Sequence, residues 1–128
     1  MKKRYIDSRY KKEVGNMTVD KSLVSGSTTM LLLRLLSEKD MYGYEMIETL
    51  RERSKNVFEL KAGTLYPLLH SLTEKQMLKV YEKEAGGKIR KYYSLTKGGE
   101  QMLAEKKEEW KAYSEAILQV LNIGGVPV

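Results

Sequence analysis

After a polar, basic opening without clear periodicity over residues 1–16, apolar positions follow a helical period from Val19, switch to alternation around residue 80, and return to a helical period after residue 96. The segment Val19–Leu36 closes on TTMLLLRLL, in which Met30, Leu31, Leu32, Leu33, Leu35 and Leu36 cover most of a helical circumference. That spacing predicts a first helix buried on more than one side. Glu38–Asp40 then forms a polar connector, and Met46, Ile47 and Leu50 predict a second helix from about Tyr42 to Arg53. Lys55–Glu59 is the expected turn, with Asn56 its most turn-prone residue.

In KAGTLYPLLHSL, residues 61–72, the leucines at 65, 68, 69 and 72 fall within an arc of roughly 100°, the width of a core-facing stripe. Pro67 lacks an amide proton and is tolerated best in a first turn, so propensity starts this third helix near Thr64, with Thr64 as its cap. Thr64, Tyr66, Pro67, His70 and Ser71 are left on the other face.

Alternation takes over in LKVYEKEAGGKIRKYYSLT. Leu78 and Val80, then Tyr93 and Leu95, alternate with polar neighbours around Gly86-Gly87, which predicts a β-hairpin. Tyr93 and Leu95 read as core residues. Lys83, Lys88, Arg90 and Lys91 make the hairpin end cationic, and their mutual repulsion is relieved most easily by a polyanion. A last helix starts at Thr96, with Gly99 where a capping box would have Glu, and runs to about Leu121 before Gly124-Gly125. Leu103, Trp110 and Ile117 recur every seven residues, with Tyr113 and Val120 on the offset seam. One face of this helix calls for a partner helix.

Composition narrows the function. The 128 residues suit one domain, or one domain with an appended helix. Without cysteine there is no disulfide framework and no thiolate site. Met30–Leu33 is too short to span a membrane, and the basic N-terminus has no apolar stretch behind it, so no membrane span and no signal peptide are expected and the compartment is the cytoplasm. The net charge is +6, but residues 1–13 alone hold six cations against two acids. A nucleic-acid reading must therefore rest on local clusters. With one histidine, no HExxH or GxSxG, and AGGKIRK lacking phosphate-loop spacing, no enzyme, cofactor or metal site is expected.

Three helices, a basic hairpin and a long helix give the expected fold class: mainly α with a two-stranded β wing, a winged helix-turn-helix plus a long C-terminal dimerisation helix. Residues 1–18 form a basic arm, 19–96 the winged domain, 97–123 the dimerisation helix and 124–128 a tail. In this layout the third helix enters the major groove and the wing lies along phosphates or in the minor groove. The polar face around Thr64, Tyr66, Pro67 and His70 is then free because DNA can cover it, with Lys61 its only strong cation.

MYGYEMIETL, LKAGTLYPLLHSLTEKQML and GGKIRKYYSLTKGG resemble, in order and approximate spacing, the PadR family of bacterial transcriptional regulators, in its smaller subfamily with a short C-terminal region. The resemblance covers roughly residues 19–121. It implies a homodimer on a palindromic operator, usually a repressor, released by phenolic or lipophilic effectors. It also implies a slightly earlier start for the third helix. Carried onto this chain, it puts Thr64, Tyr66 and Pro67 on the recognition helix, Tyr42 at the DNA backbone, and Lys88, Arg90 and Lys91 on the wing. Leu103, Trp110, Tyr113 and Ile117 are the expected dimer or ligand interface, with Trp110 either filling space there or stacking on a flat hydrophobic ligand. Two other readings stay open: a winged-helix adaptor that dimerises but binds protein, and a small hydrophobic-ligand carrier.

Overall fold

The computed structural model describes residues 21–123; the basic arm at 1–18 and the tail at 124–128, with Gly124-Gly125, lie outside the described residues. The order is α1 (Lys21–Glu38), β1 (Met41–Tyr42), α2 (Gly43–Arg53), α3 (Ala62–Glu74), β2 (Leu78–Ala85), β3 (Lys88–Leu95) and α4 (Lys97–Leu121). Leu32, Leu33, Leu35 and Leu36 of α1 meet Met46 and Leu50 of α2, Leu65, Leu69 and Leu72 of α3, and Leu78 and Tyr93 of the sheet in one core. As expected from its wide apolar girdle, α1 packs on α2, α4 and β3 at once.

Two boundaries differ from the expectation. Tyr42 does not begin α2; it is the second residue of β1, which pairs antiparallel with β3 (Met41 with Tyr93, Tyr42 with Tyr92) and extends the hairpin to a three-stranded sheet of order β1-β3-β2. Two residues are too few for alternation to announce a strand. The third helix starts at Ala62 rather than Thr64, because the Thr64 and Leu65 amides already bond the Lys61 carbonyl (3.0 and 2.9 Å). Pro67 therefore lies inside the helix. The Gly63 carbonyl it leaves without a donor belongs to an exposed residue, where solvent can supply the bond, while Leu65 and Leu69 alongside are fully buried.

The turns follow local chemistry. Lys55 and Asn56 both take positive φ (53° and 71°) between α2 and α3. Gly86 and Gly87 (φ 61° and 79°) close the hairpin as the paired left-handed residues of a tight turn. Among the hairpin's apolar residues, Leu78 and Tyr93 are buried while Val80 is exposed, because beyond Leu78 strand β2 leaves the body of the domain.

At the start of α4 the Thr96 hydroxyl accepts the Gly99 amide (3.0 Å) and donates to the Gln76 carbonyl (2.7 Å), tying the helix to the turn after α3. The absence of Glu at the capping-box position has a steric reason. A Cβ on Gly99 would overlap the Met77 carbonyl oxygen and lie 2.5 Å from Leu95 Cδ1. The far end of α4 closes on Asn122 in the left-handed conformation (φ 60°, ψ 45°), ahead of the expected glycine pair.

Gly99→Ala is expected to cost roughly 1–3 kcal/mol of stability through overpacking against backbone. Gly98→Ala, whose Cβ would find its nearest neighbour at 3.4 Å, should be close to neutral. Urea denaturation of the two variants checks the difference.

Candidate nucleic-acid interface

Helix α3 divides its side chains as the leucine spacing requires. Leu65, Leu69 and Leu72 are buried and Leu68 is half-buried, while Lys61, Thr64, Tyr66, Pro67 and His70 are exposed. Lys61, Thr64, Tyr66 and Pro67 lie at or near the N-terminal end of α3, where the helix dipole favours anions, and His70 stands about two turns in. His70 Nε2 stands 3.3 Å from a Glu74 carboxylate oxygen one turn on.

Tyr66 is held more firmly than an exposed reading residue need be. Its ring reaches across to the first residue of α2: a Cβ on Gly43 would lie 2.6 Å from Tyr66 Cζ and 2.8 Å from Cε1, and closer still to the hydroxyl. The glycine in YGYE is therefore the socket for the tyrosine in GTLYP. Tyr66 keeps 45% of its surface exposed. Gly43 is a site residue that sequence reasoning missed, and its place at the head of a helix, where alanine would be preferred on propensity, was the available signal.

Register organises the wing. Lys83 pairs with Arg90 and Ala85 with Lys88, in line with Tyr81-Tyr92 and Tyr42-Tyr92, so these residues project from one face of the sheet. On that face the Tyr92 ring meets Tyr42 edge-on (5.4 Å between centroids) and stacks on Tyr81 (5.8 Å). The Arg90 guanidinium lies over the Tyr42 ring at 4.5 Å, and the Lys83 ammonium over the Tyr92 ring at 4.9 Å. Arg90 Nε also donates to the Ala85 carbonyl (3.3 Å). Lys91, expected to act with Lys88 and Arg90, pairs instead with Glu82 and projects from the opposite face. The cationic hairpin end is thus two surfaces.

The inner end of the tyrosine face is tied to the body. Tyr81 donates its hydroxyl proton to Asp40 (2.6 Å), and this bond, with some burial and the nearby negative charge, pushes the Tyr81 pKa up to about 12. Lys39 pairs with Glu45 (2.9 Å), which raises the lysine above its ordinary value.

On α4 the four expected interface residues separate. Leu103 is buried in the domain's own core, whereas Trp110, Tyr113 and Ile117 are exposed farther along, the Trp110 and Tyr113 rings 6.0 Å apart. Val120, Leu121 and Ile123 extend the exposed apolar surface to the helix end and just beyond.

Two measurements test this geometry. Gly43→Ala should lose roughly 1–3 kcal/mol by displacing the Tyr66 ring. In a Tyr66→Ala background the same change should be nearly neutral, a coupling that a double-mutant cycle in urea reads directly. Because the Tyr81 pKa is raised above its ordinary 10, the Asp40 bond contributes stability fully below about pH 10 and loses it as pH rises toward about 12. The stability difference between wild type and Tyr81→Phe should therefore shrink across that alkaline window.

Comparison with known proteins fits this arrangement. Residues 32–105 match the transcriptional regulator PadR-like family. An uncharacterised protein of Lysinibacillus sphaericus is 37% identical over 101 residues, covering 77% of this chain and 92% of its own. The transcriptional regulator YqjI of Escherichia coli is 30% identical over 92 residues, covering 72% of this chain but 43% of its own length, so this chain corresponds to less than half of that relative. The crystal structure of a PadR family transcription regulator from Clostridium difficile superposes with a TM-score of 0.67 at 38% identity, over 74% of this chain and 98% of that one. The family and this structural relative are transcriptional regulators, not enzymes. A three-helix core with a tyrosine-backed wing and a long last helix, matched over most of its length, makes this chain a member of the PadR-like family of transcriptional regulators.

Proposed function

We propose that the chain is a sequence-specific DNA-binding regulator that acts as a homodimer on a palindromic operator, normally as a repressor, in the cytoplasm. The observation that carries this reading is the physical link between the exposed face of α3 and the cationic wing, made through two adjacent residues. The exposed end of α3 meets the head of α2 through Tyr66 and Gly43, and the adjoining Tyr42 supports Arg90 of the wing. Thr64, Tyr66, Pro67 and His70 then face base edges in the major groove. Lys61, Tyr42, Lys88 and Arg90 hold phosphates on either side.

Dimerisation is assigned to the exposed apolar stripe of α4, where Trp110 and Tyr113 are 48% and 62% exposed. Burying aromatic surface of this kind is a strong drive to association. A two-fold axis there would present two recognition helices to half-sites about one helical turn apart, roughly 34–36 Å. A small hydrophobic or phenolic effector stacking near Trp110 would release the operator if it bound preferentially to a different spacing of the two winged domains. The rival reading, an adaptor for another protein, uses the same dimer but needs no phosphate contacts.

Fluorescence anisotropy with a labelled duplex from upstream of the protein's own gene, beside a scrambled duplex and at several salt concentrations, decides between them. The regulator binds the native duplex more tightly, with a steep negative salt slope. Lys88→Ala/Arg90→Ala flattens that slope by roughly two units. No binding to either duplex at low salt would transfer the assignment to the adaptor.

A further inference from the structure

Strand pairing sorts the wing's charges more completely than its sequence shows. Lys79 pairs with Ser94, Lys83 with Arg90, and Ala85 with Lys88, so Lys79, Lys83, Lys88 and Arg90 share the face that carries Tyr42, Tyr81 and Tyr92. Neither hairpin strand contributes an acid to it. Near its inner end the Asp40 carboxylate, ahead of β1, is engaged by the Tyr81 hydroxyl, and Glu45 is paired with Lys39. On the opposite face, beyond the buried Leu78 and Tyr93, stand Glu82 and Glu84 with Lys91 and the exposed Val80 and Ile89. Four cations without an acid back one side of the ribbon. The other side has two acids against one lysine.

Lys83 directly opposite Arg90 is an unfavourable cross-strand pair in isolation. The tyrosine rings moderate it, with Lys83 over Tyr92 and Arg90 over Tyr42, and they also hold both cations against the sheet instead of leaving them to sweep through solvent. Lys91 sits directly across from Glu82, a favourable pair that offsets its charge. A row of four cations, two of them held on aromatic faces, fits a row of phosphates. A lysine set among carboxylates does not.

Building on the DNA-binding reading above, we propose that the wing grips the DNA backbone with its tyrosine face alone, and that Lys79 and Lys83, in addition to Lys88 and Arg90, contact phosphates while Lys91 does not. The partner is the sugar-phosphate backbone of duplex DNA. The contact carries affinity and orientation but no base sequence, so it acts equally on operator and non-operator duplexes.

The test uses the full chain and the two duplexes already described. Lys79→Gln/Lys83→Gln should flatten the salt slope by about two units on both duplexes and weaken binding at least tenfold at moderate salt, whereas Lys91→Gln should leave the slope unchanged. Lys83→Arg, which keeps a cation over the Tyr92 ring, should restore the contribution of that position. Thermal midpoints of the variants close to wild type exclude a folding explanation. If Lys91→Gln flattens the slope and the Lys79/Lys83 pair does not, the wing uses its other face and the proposal is overturned. If the double glutamine variant loses affinity with its slope intact, the two lysines only support the wing, which also overturns it. If the wild-type chain binds neither duplex, the DNA-binding reading itself fails, and an intact slope for Lys88→Ala/Arg90→Ala would set aside wing contact as a whole.

Discussion

The close approach of the Tyr66 ring to Gly43 is the contact on which the geometry of the exposed surface depends. It joins the outer side of α3 to the first residue of α2, and Gly43 directly follows β1, the strand that holds the wing hairpin to the body. One side chain therefore relates the helix and the wing. Most of the core could tolerate repacking among leucines, since volume and pattern are what such cores require. A socket with no room for a Cβ has no such latitude.

From this junction the wing extends as an antiparallel ribbon whose two faces do different work. Near the body, Leu78, Tyr93 and Met41 are buried and anchor it. Farther out neither face is buried, and the pleat alone determines which side chains stand together. The tyrosine cluster turns that geometric accident into an ordered surface by giving Arg90 and Lys83 aromatic supports and by fastening Tyr81 to Asp40. The motif RKYY thus holds two opposed functions in adjacent residues: Tyr92 backs the cationic face, and Tyr93 enters the core.

Helix α4, 25 residues and roughly 37 Å long, makes a comparable division along its axis. Its first turns belong to the domain, capped by Thr96, pressed on Met77 through Gly99 and sealed by Leu103. From Trp110 onward the apolar stripe continues but the domain no longer lies beneath it. A heptad repeat that begins inside the domain's core and ends outside it carries the exposed apolar half of the helix rigidly away from that core.

How much of this was legible depends on the range of the physics involved. Periodicity located every helix among the described residues and both hairpin strands, because amphipathic spacing is local and strongly patterned; the lysine and arginine cluster, the Gly-Gly turn, the Thr96 cap and the separation of α3 into apolar and polar faces were likewise local signals. Local propensity alone misplaced the start of α3, where burial of Leu65 and Leu69 outweighs one hydrogen bond lost at Pro67. What no local rule contains is pairing between distant segments. Strand β1 exists only because Met41 and Tyr42 find Tyr93 and Tyr92, Gly43 and Gly99 are required only by atoms from other elements, and Lys91 parts from Arg90 only once register is set. The sequence by itself determined which elements form and which residues carry charge or apolar surface, since those follow from spacing along one chain. Only the tertiary structure decided which of them share a face, since that depends on which distant strand or helix lies alongside.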